Sequence, residues 1–273
     1  LTASAVITGG AGGIGLGIAH ALVSRGYGVM LADIDGETAE AEARQIRAGG
    51  GDAVAMKTDV TDEASIAALA EAAFARFGQV GMLFNNAGVG IAGPLEKAPP
   101  RNWDWLFAVN LRAIYLATRA FAPRMLEGGA PARIINTASE HALGLPERGG
   151  SITPYTASKH AVLGLSLGMR RDYAGTNLSV SVICPALTQS RIWKSFSTRP
   201  AQFGGPRDVP ESFGAANKEG LDAAIAGERI VRQIEAGSFY IFTHGPDERE
   251  VAEAKAAEIA AALDAYDALI GVS

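Results

Sequence analysis

The stretch that decides the fold is Ser4-Ala5-Val6-Ile7-Thr8-Gly9-Gly10-Ala11-Gly12-Gly13-Ile14-Gly15-Leu16-Gly17. Ser4–Thr8 is mostly apolar and β-branched, and reads as a buried strand. Residues 14–25 follow as a helix, so the glycines form the turn between them. A helix N-terminus offers unpaired N–H groups and the positive end of a dipole, which suit a pyrophosphate. Side chains in such a turn would hold the phosphates off the backbone, so glycine is required. Two registers fit: Gly10, Gly12 and Gly15 spell GxGxxG, while Gly9, Gly13 and Gly15 spell TGxxxGxG. The strand before and the helix after turn a weak glycine match into a dinucleotide-binding signal.

Outward from this turn the pattern repeats. Further strands are read at Gly28–Asp33, 52–59, Met82–Asn85, 133–137, Leu178–Cys184 and 239–243. Helices are read at 37–48, around 66–77, and at 102–126, 155–173, 221–236 and 247–270. Ile66, Leu69, Ala70, Ala73, Phe74 and Phe77 give the clearest helical stripe. Short apolar strands separated by helices predict an α/β fold with a buried parallel sheet. No break in composition suggests a second domain, so 1–273 is read as one domain. Residues 187–220 are irregular, with Pro200, Pro206 and Pro210, and are long for a connection inside a domain. They are read as a substrate lid.

Composition narrows the field. The 273 residues carry 24 Lys and Arg against 29 Asp and Glu, a formal charge of -5. Hydrophobic residues make up 48%, too many for a disordered chain. One Cys excludes an internal disulfide and points to a reducing, cytoplasmic setting. The acidic balance without basic runs argues against a nucleic-acid partner. No apolar run is long enough to span a membrane, and no basic leader precedes the first strand. The opening at Leu1, straight into an apolar run, suggests that a few native residues are missing ahead of it. Gly accounts for 33 residues, above the usual share of about 7%, and should mark special backbone positions.

The strand ends carry the next signals. Asp33, with Ile34 after it, closes the second strand 18 positions beyond Gly15, where a carboxylate would accept from an adenosine ribose. It would repel a 2′-phosphate, and no Arg or Lys lies in the glycine turn or just after Asp33, so NAD is expected over NADP. Asp59-Val60 is read as an adenine contact, with Asp62 a rival for the helix cap. Asn85-Asn86-Ala87-Gly88 closes the fourth strand. Ser139 follows the fifth, and Tyr155 and Lys159 stand one helical turn apart. A phenol with an ordinary pKa near 10 is a poor base at neutral pH. A neighbouring ammonium should lower it. Tyr155 would then exchange a proton with a substrate hydroxyl, and Ser139 would orient the oxygen.

TGGAGGIG, Asp59, NNAG, Asn110 in a helix, Ser139, YTASK and Cys184-Pro185 occur in one order over about Ala3 to Ser190. The chain thereby resembles the short-chain dehydrogenase/reductase family. The resemblance implies one doubly wound (Rossmann) domain with a seven-stranded parallel sheet and helices on both faces. It implies catalytic roles for Asn110, Ser139, Tyr155 and Lys159, with Lys159 also touching the nicotinamide ribose. Pro185, Ala186 and Thr188 would hold the carboxamide, with Ser190 nearby, and Gly9, Gly12, Gly13, Ile14, Gly15, Asp33, Ile34, Asp59, Val60, Asn86, Ala87 and Gly88 the rest of the cofactor. It also implies a homo-oligomer, tetramer or dimer, built on 102–126 and 155–173. Three departures stand out: Ala186 where glycine is usual, an enlarged 144–151 loop, and a helix in place of the glycine-rich ending.

His141, Leu143, Ile192 and Trp193 are read as the substrate pocket, suited to an apolar secondary alcohol or its ketone. The segments NNAGVGIAGPLEKAPPRNWDW and RPAQFG are similar to the Cα-dehydrogenases of lignin-type β-aryl ether breakdown. That subgroup resemblance implies a benzylic alcohol. Alternatives are an NADPH-dependent carbonyl or 3-oxoacyl reductase, and a non-catalytic nucleotide-binding regulator on the same fold. Gly164-Leu165-Ser166-Leu167-Gly168 matches the GxSxG of hydrolases, but it lies mid-helix with no strand before it. His20, His141, His160 and His244 show no ligand spacing, so no metal is expected. Cys184, Trp103 and Trp105 are read as packing residues.

Overall fold

The strands β1 (Ser4–Thr8), β2 (Gly28–Asp33), β3 (Ala53–Lys57), β4 (Met82–Asn85), β5 (Ala132–Thr137), β6 (Leu178–Cys184) and β7 (Tyr240–Phe242) form one parallel sheet. They do so in a computed structural model that describes residues 3–147 and 150–271. Residues 148–149 of the loop expected to be enlarged, and the opening two residues, lie outside the described residues. The strand order is β3-β2-β1-β4-β5-β6-β7. Because β1 pairs with β2 on one side and β4 on the other, winding reverses between β1 and β4. A crevice opens at the carboxyl ends there, the usual ligand position in such sheets.

Side chains alternate across the sheet. Ala5 and Ile7 face α1 (Gly13–Val23), α2 (Gly36–Ala48) and α8 (Ala223–Glu235), packing with Ile18, Leu22 and Ile230. Val6 faces the opposite layer, α3 (Glu63–Phe77), α4 (Pro100–Phe107), α5 (Ala113–Glu127) and α6 (Thr153–Asp172), with Ile66, Leu69, Trp105 and Phe121. The irregular 187–220 stretch holds short 3₁₀ turns and α7 (Ala215–Lys218), and α9 (Pro246–Ile270) follows β7. Asp35, Asp62 and Asp222 cap α2, α3 and α8 through their carboxylates, whereas α1, preceded by Gly12, has no side-chain cap.

Three differences from the sequence reading bear on the site. The helix read at 102–126 contains a π turn, Ala108–Arg112, between α4 and α5. Its extra residue per turn swings Asn110 inward, a change that periodicity does not register. The third strand ends at Lys57, not Asp59. The Asp59 carboxylate accepts from the Thr61 N–H at 2.9 Å and the Thr61 hydroxyl at 2.7 Å, a local turn that leads into α3. The last strand ends at Phe242 because Glu248 takes the next N–H groups, from Thr243, His244 and Gly245.

The glycine excess splits into two uses. A Cβ on Gly17 would overlap the Ala223 carbonyl, and one on Gly227 would overlap the Gly17 backbone. Gly17 therefore serves close packing of α1 on α8 and stands apart from the phosphate-turn glycines.

Candidate active site

The glycine turn settles into the second register. Gly9 and Gly13 have φ of 66° and 51°, left-handed values that favour glycine. A Cβ on Gly9 would lie 2.9 Å from the Ala87 Cα, and one on Gly15 would meet the Gly9 carbonyl and stand 2.7 Å from the Asn86 Nδ2. The turn is thus held against the end of β4. The Thr8 hydroxyl accepts from the N–H groups of Asn86 at 2.9 Å and Ala87 at 3.1 Å. The Asn86 amide donates to the Thr8 carbonyl at 3.1 Å. A bare backbone cradle in front of an uncapped helix N-terminus fits a dinucleotide pyrophosphate.

A cavity of about 480 Å³ runs from this turn along the sheet edge. Gly9, Gly12, Gly13, Ile14, Asp33, Ile34, Asp59, Val60, Asn86, Ala87 and Gly88 line its cofactor half, with Tyr155, Lys159, Pro185, Ser190 and Ile192 further on. Asp33 accepts from the Ala11 N–H at 3.0 Å through one oxygen and the Asp35 N–H at 3.0 Å through the other. Burial raises its pKa above the ordinary carboxylate range against these bonds. Asp62 caps α3, which leaves Asp59 facing the cavity. One premise of the sequence reading is corrected here. A cation does stand at the glycine turn: Arg191 Nη2 donates to the Ala11 carbonyl at 2.9 Å. Local sequence offers none because the fold brings it from the far side of β6.

The residues expected to handle the proton lie together, around the ends of β4 and β5 and the start of α6. Ser139 stands close enough to the Tyr155 phenol to favour its ionised form. The Lys159 Nζ lies 5.5 Å from the Tyr155 ring centre and donates to the Thr137 carbonyl at 2.9 Å. The π turn sets Asn110 so that its Oδ1 accepts from Val89 N–H at 2.9 Å, while its Nδ2 donates to the Val89 carbonyl at 3.1 Å and the Ser158 hydroxyl at 3.0 Å. Burial pushes the Tyr155 phenol up to about 12, with Glu140 adding to it and Ser139 opposing. Burial also pulls Lys159 down to about 8. The lowered phenol expected from sequence is therefore corrected: burial of the phenol raises its pKa instead.

Beyond β6, the Ala186 N–H donates to the Thr243 hydroxyl at 3.1 Å, and the Thr188 hydroxyl to the Ala186 carbonyl at 3.0 Å. Ser190 N–H donates to Asn217 Oδ1 at 2.6 Å. Of the four substrate-pocket candidates, Ile192 lines the cavity. His141 is buried beside Tyr155, ring centres 5.8 Å apart, and its Nδ1 is 3.0 Å from the Thr156 hydroxyl. Leu143 packs with Ala142, Val162 and Cys184. Trp193 turns away into the 187–220 stretch, where a Cβ on Gly214 would stand 2.5 Å from its ring. That stretch is anchored by Arg199, which donates to Asn102 Oδ1 at 3.0 Å and the Gly205 carbonyl at 2.8 Å.

The GxSxG serine has a structural place: buried Ser166 back-bonds to the Val162 carbonyl at 2.7 Å and accepts from Asn136 at 3.0 Å. Burial pushes the Cys184 thiol up to about 12. Among the described residues no group of three His, Cys, Asp or Glu stands together as a metal site, and no helix is long and apolar enough to cross a membrane. Sequence reasoning missed Thr8, Thr137, Ser158, Asn217 and Arg191. For Thr137 and Ser158 no signal exists, since one acts through a carbonyl and the other through a helix contact. The Thr8 of TGxxxGxG was visible.

A model of the short chain dehydrogenase family matches residues 3–201. The 1-deoxy-11-beta-hydroxypentalenate dehydrogenase of Streptomyces exfoliatus is 38% identical over 210 residues, 76% of this chain and 75% of its own. The C alpha-dehydrogenase of a Sphingobium strain is 32% identical over 252 residues, 90% and 81% of the two chains. A short-chain dehydrogenase/reductase from Burkholderia phymatum, solved in complex with NAD, superposes with a TM-score of 0.82 at 34% identity over 91% of each chain. A metagenomic short-chain oxidoreductase solved with NADP gives a TM-score of 0.62 at 40% identity over 68% of this chain and 83% of that one. The chain belongs to the short-chain dehydrogenase family, a family of nicotinamide-dependent oxidoreductases. Within it, the likeness to C alpha-dehydrogenase extends to the structures of that subgroup: LigD of the same Sphingobium strain aligns over 94% of this chain with a TM-score of 0.77 at 28% identity, covering 95% of its own.

Proposed function

We propose that this chain is an NAD-dependent oxidoreductase that interconverts a secondary alcohol, aryl or benzylic, and its ketone. The observation that carries the reading is Tyr155, beside Ser139 and one turn from Lys159, lining a cavity that begins at the glycine turn. The ligand-side roles of Pro185, Ala186, Thr188 and Ser190, and of Ile192 toward substrate with His141 and Leu143 behind it, belong to this proposal, whereas Trp193, packed against Gly214, is left out of it. So do a lid over 187–220 within one domain, a cytoplasmic setting, and a homo-oligomer joined through the apolar groove of Trp103, Phe107, Leu111, Tyr115 and Leu165.

Bound NAD would supply the hydride acceptor. The rest falls to the chain. Ser139 holds the substrate oxygen beside the phenol. Tyr155 takes the hydroxyl proton in oxidation and returns it in reduction. Lys159 stands between Tyr155 and the Thr137 carbonyl, and the Asn110 anchor fixes the local backbone so that the proton leaves along one route. A panel of aryl and aliphatic secondary alcohols, assayed with NAD and with NADP by the absorbance of reduced nicotinamide, tests the reading. Turnover of aryl substrates with NAD is expected. Binding of NAD without any turnover would favour a regulator, and turnover confined to NADPH and ketones a carbonyl reductase.

Two predictions arise here. With the phenol at about 12 and Lys159 at about 8, alcohol oxidation should climb as pH rises toward about 8. Above that, Lys159 discharges and the climb should flatten. Lys159→Arg keeps its charge throughout, so its pH profile should lose the break; an unchanged break in the variant would remove Lys159 from the titration. Separately, Asp33→Ala should raise the affinity for NADP relative to NAD by about tenfold or more, since a buried carboxylate no longer faces the 2′-phosphate. An unmoved preference, measured by binding, would show that Asp33 serves only the Ala11 and Asp35 N–H groups.

A further inference from the structure

The segment after β6 lies directly on the N-terminus of α1. A Cβ on Gly13 would stand 2.9 Å from the Ser190 Cβ. One residue later, the Arg191 guanidinium takes the room that a residue-12 side chain would fill: a Cβ on Gly12 would lie 3.1 Å from both Nε and Nη2. Its charge reaches Asp33 and Asp35. A guanidinium next to a helix N-terminus is a pairing of two positive ends, unfavourable by itself. Here the Ala11 carbonyl accepts from it and the charges of Asp33 and Asp35 offset it. The guanidinium and the helix N-terminus flank one floor of glycine backbone, and Gly12, Gly13 and Arg191 all line the cavity.

We propose that Arg191 is a phosphate ligand of the nicotinamide cofactor, carried to the glycine turn by the start of the 187–220 stretch. The planar fork of donors suits a phosphate edge. This rests on the dinucleotide reading of the turn. The phosphate could be the pyrophosphate above α1 or a 2′-phosphate beside Asp33, and both offer the same chemistry to a guanidinium. Arg191 also ties cofactor binding to the 187–220 stretch, since Lys194 and Ser195 follow it along the same cavity wall.

The test is calorimetric binding of adenosine, ADP-ribose and 2′-phospho-ADP-ribose to the full chain, its Arg191→Gln variant and its Arg191→Lys variant. Arg191→Gln should weaken ADP-ribose by about 10- to 100-fold and leave adenosine within about twofold, with Arg191→Lys between. Equal losses on both phosphorylated ligands assign Arg191 to the pyrophosphate. A loss confined to the 2′-phosphorylated ligand assigns it to that phosphate. Unchanged binding of both, or an equal loss on adenosine, overturns the proposal. If the unaltered chain binds none of the three, the dinucleotide reading falls and this proposal with it.

Discussion

Tyr155→Phe should lower turnover by about a thousandfold or more while leaving NAD affinity within about threefold. The substitution removes one oxygen and keeps the ring. The contacts the ring makes, edge-on to His141 at 5.8 Å and under the Lys159 Nζ at 5.5 Å, survive it. What is lost is the hydroxyl that would carry the substrate proton beside Ser139. His141 is not placed to stand in: it lies beside the ring with its Nδ1 3.0 Å from the Thr156 hydroxyl and, unlike Tyr155, does not line the cavity. Ser139 loses a polar neighbour, which costs at most about 1 kcal/mol of local stability and leaves the fold intact. Calorimetric NAD binding beside steady-state turnover separates the outcomes. Retained turnover would remove Tyr155 as the acid/base group, and lost NAD binding would make it structural.

How much of this was legible in the sequence depends on whether a residue acts through local spacing. The glycine turn, Asp33 at the end of β2, and Tyr155 with Lys159 on one helical face are local patterns, and the fold presents them along one cavity. Alternating strand and helix signals give the parallel α/β class, whereas the seven-stranded sheet rests on the family resemblance and its strand order is visible only in the fold. Asn110 was placed in a helix, yet the π turn that aims it adds one residue to a turn and leaves the apolar stripe readable on both sides. Arg191 lies 180 residues from Ala11, beyond any periodicity. The Tyr155 phenol shows the limit most plainly. Sequence supplies the ammonium that would lower it, but only the packing around the ring supplies the burial that raises it.

Gly17→Ala and Gly227→Ala should each lower the melting temperature by about 5 to 10 °C, although alanine is the better helix former by about 1 kcal/mol. Each added methyl falls on backbone: the Ala223 carbonyl for Gly17, and the Gly17 carbonyl for Gly227. Backbone has no rotamer to yield, so α1 and α8 must separate. Overpacking of this kind costs about 1 to 3 kcal/mol, and separation also loosens Ile18 and Leu22 against Ile230 and Ile234. The damage should reach function, because α1 starts at Gly13 and carries the turn with it. NAD binding should weaken together with stability, whereas Tyr155→Phe lowers turnover alone. The two substitutions occupy one gap, so the double variant should lose clearly less than the sum of the singles: once the helices are apart, the second methyl finds room. Additive losses would mean that the two glycines act at separate contacts, and single variants as stable as the parent would show that α8 slides along α1 at no cost.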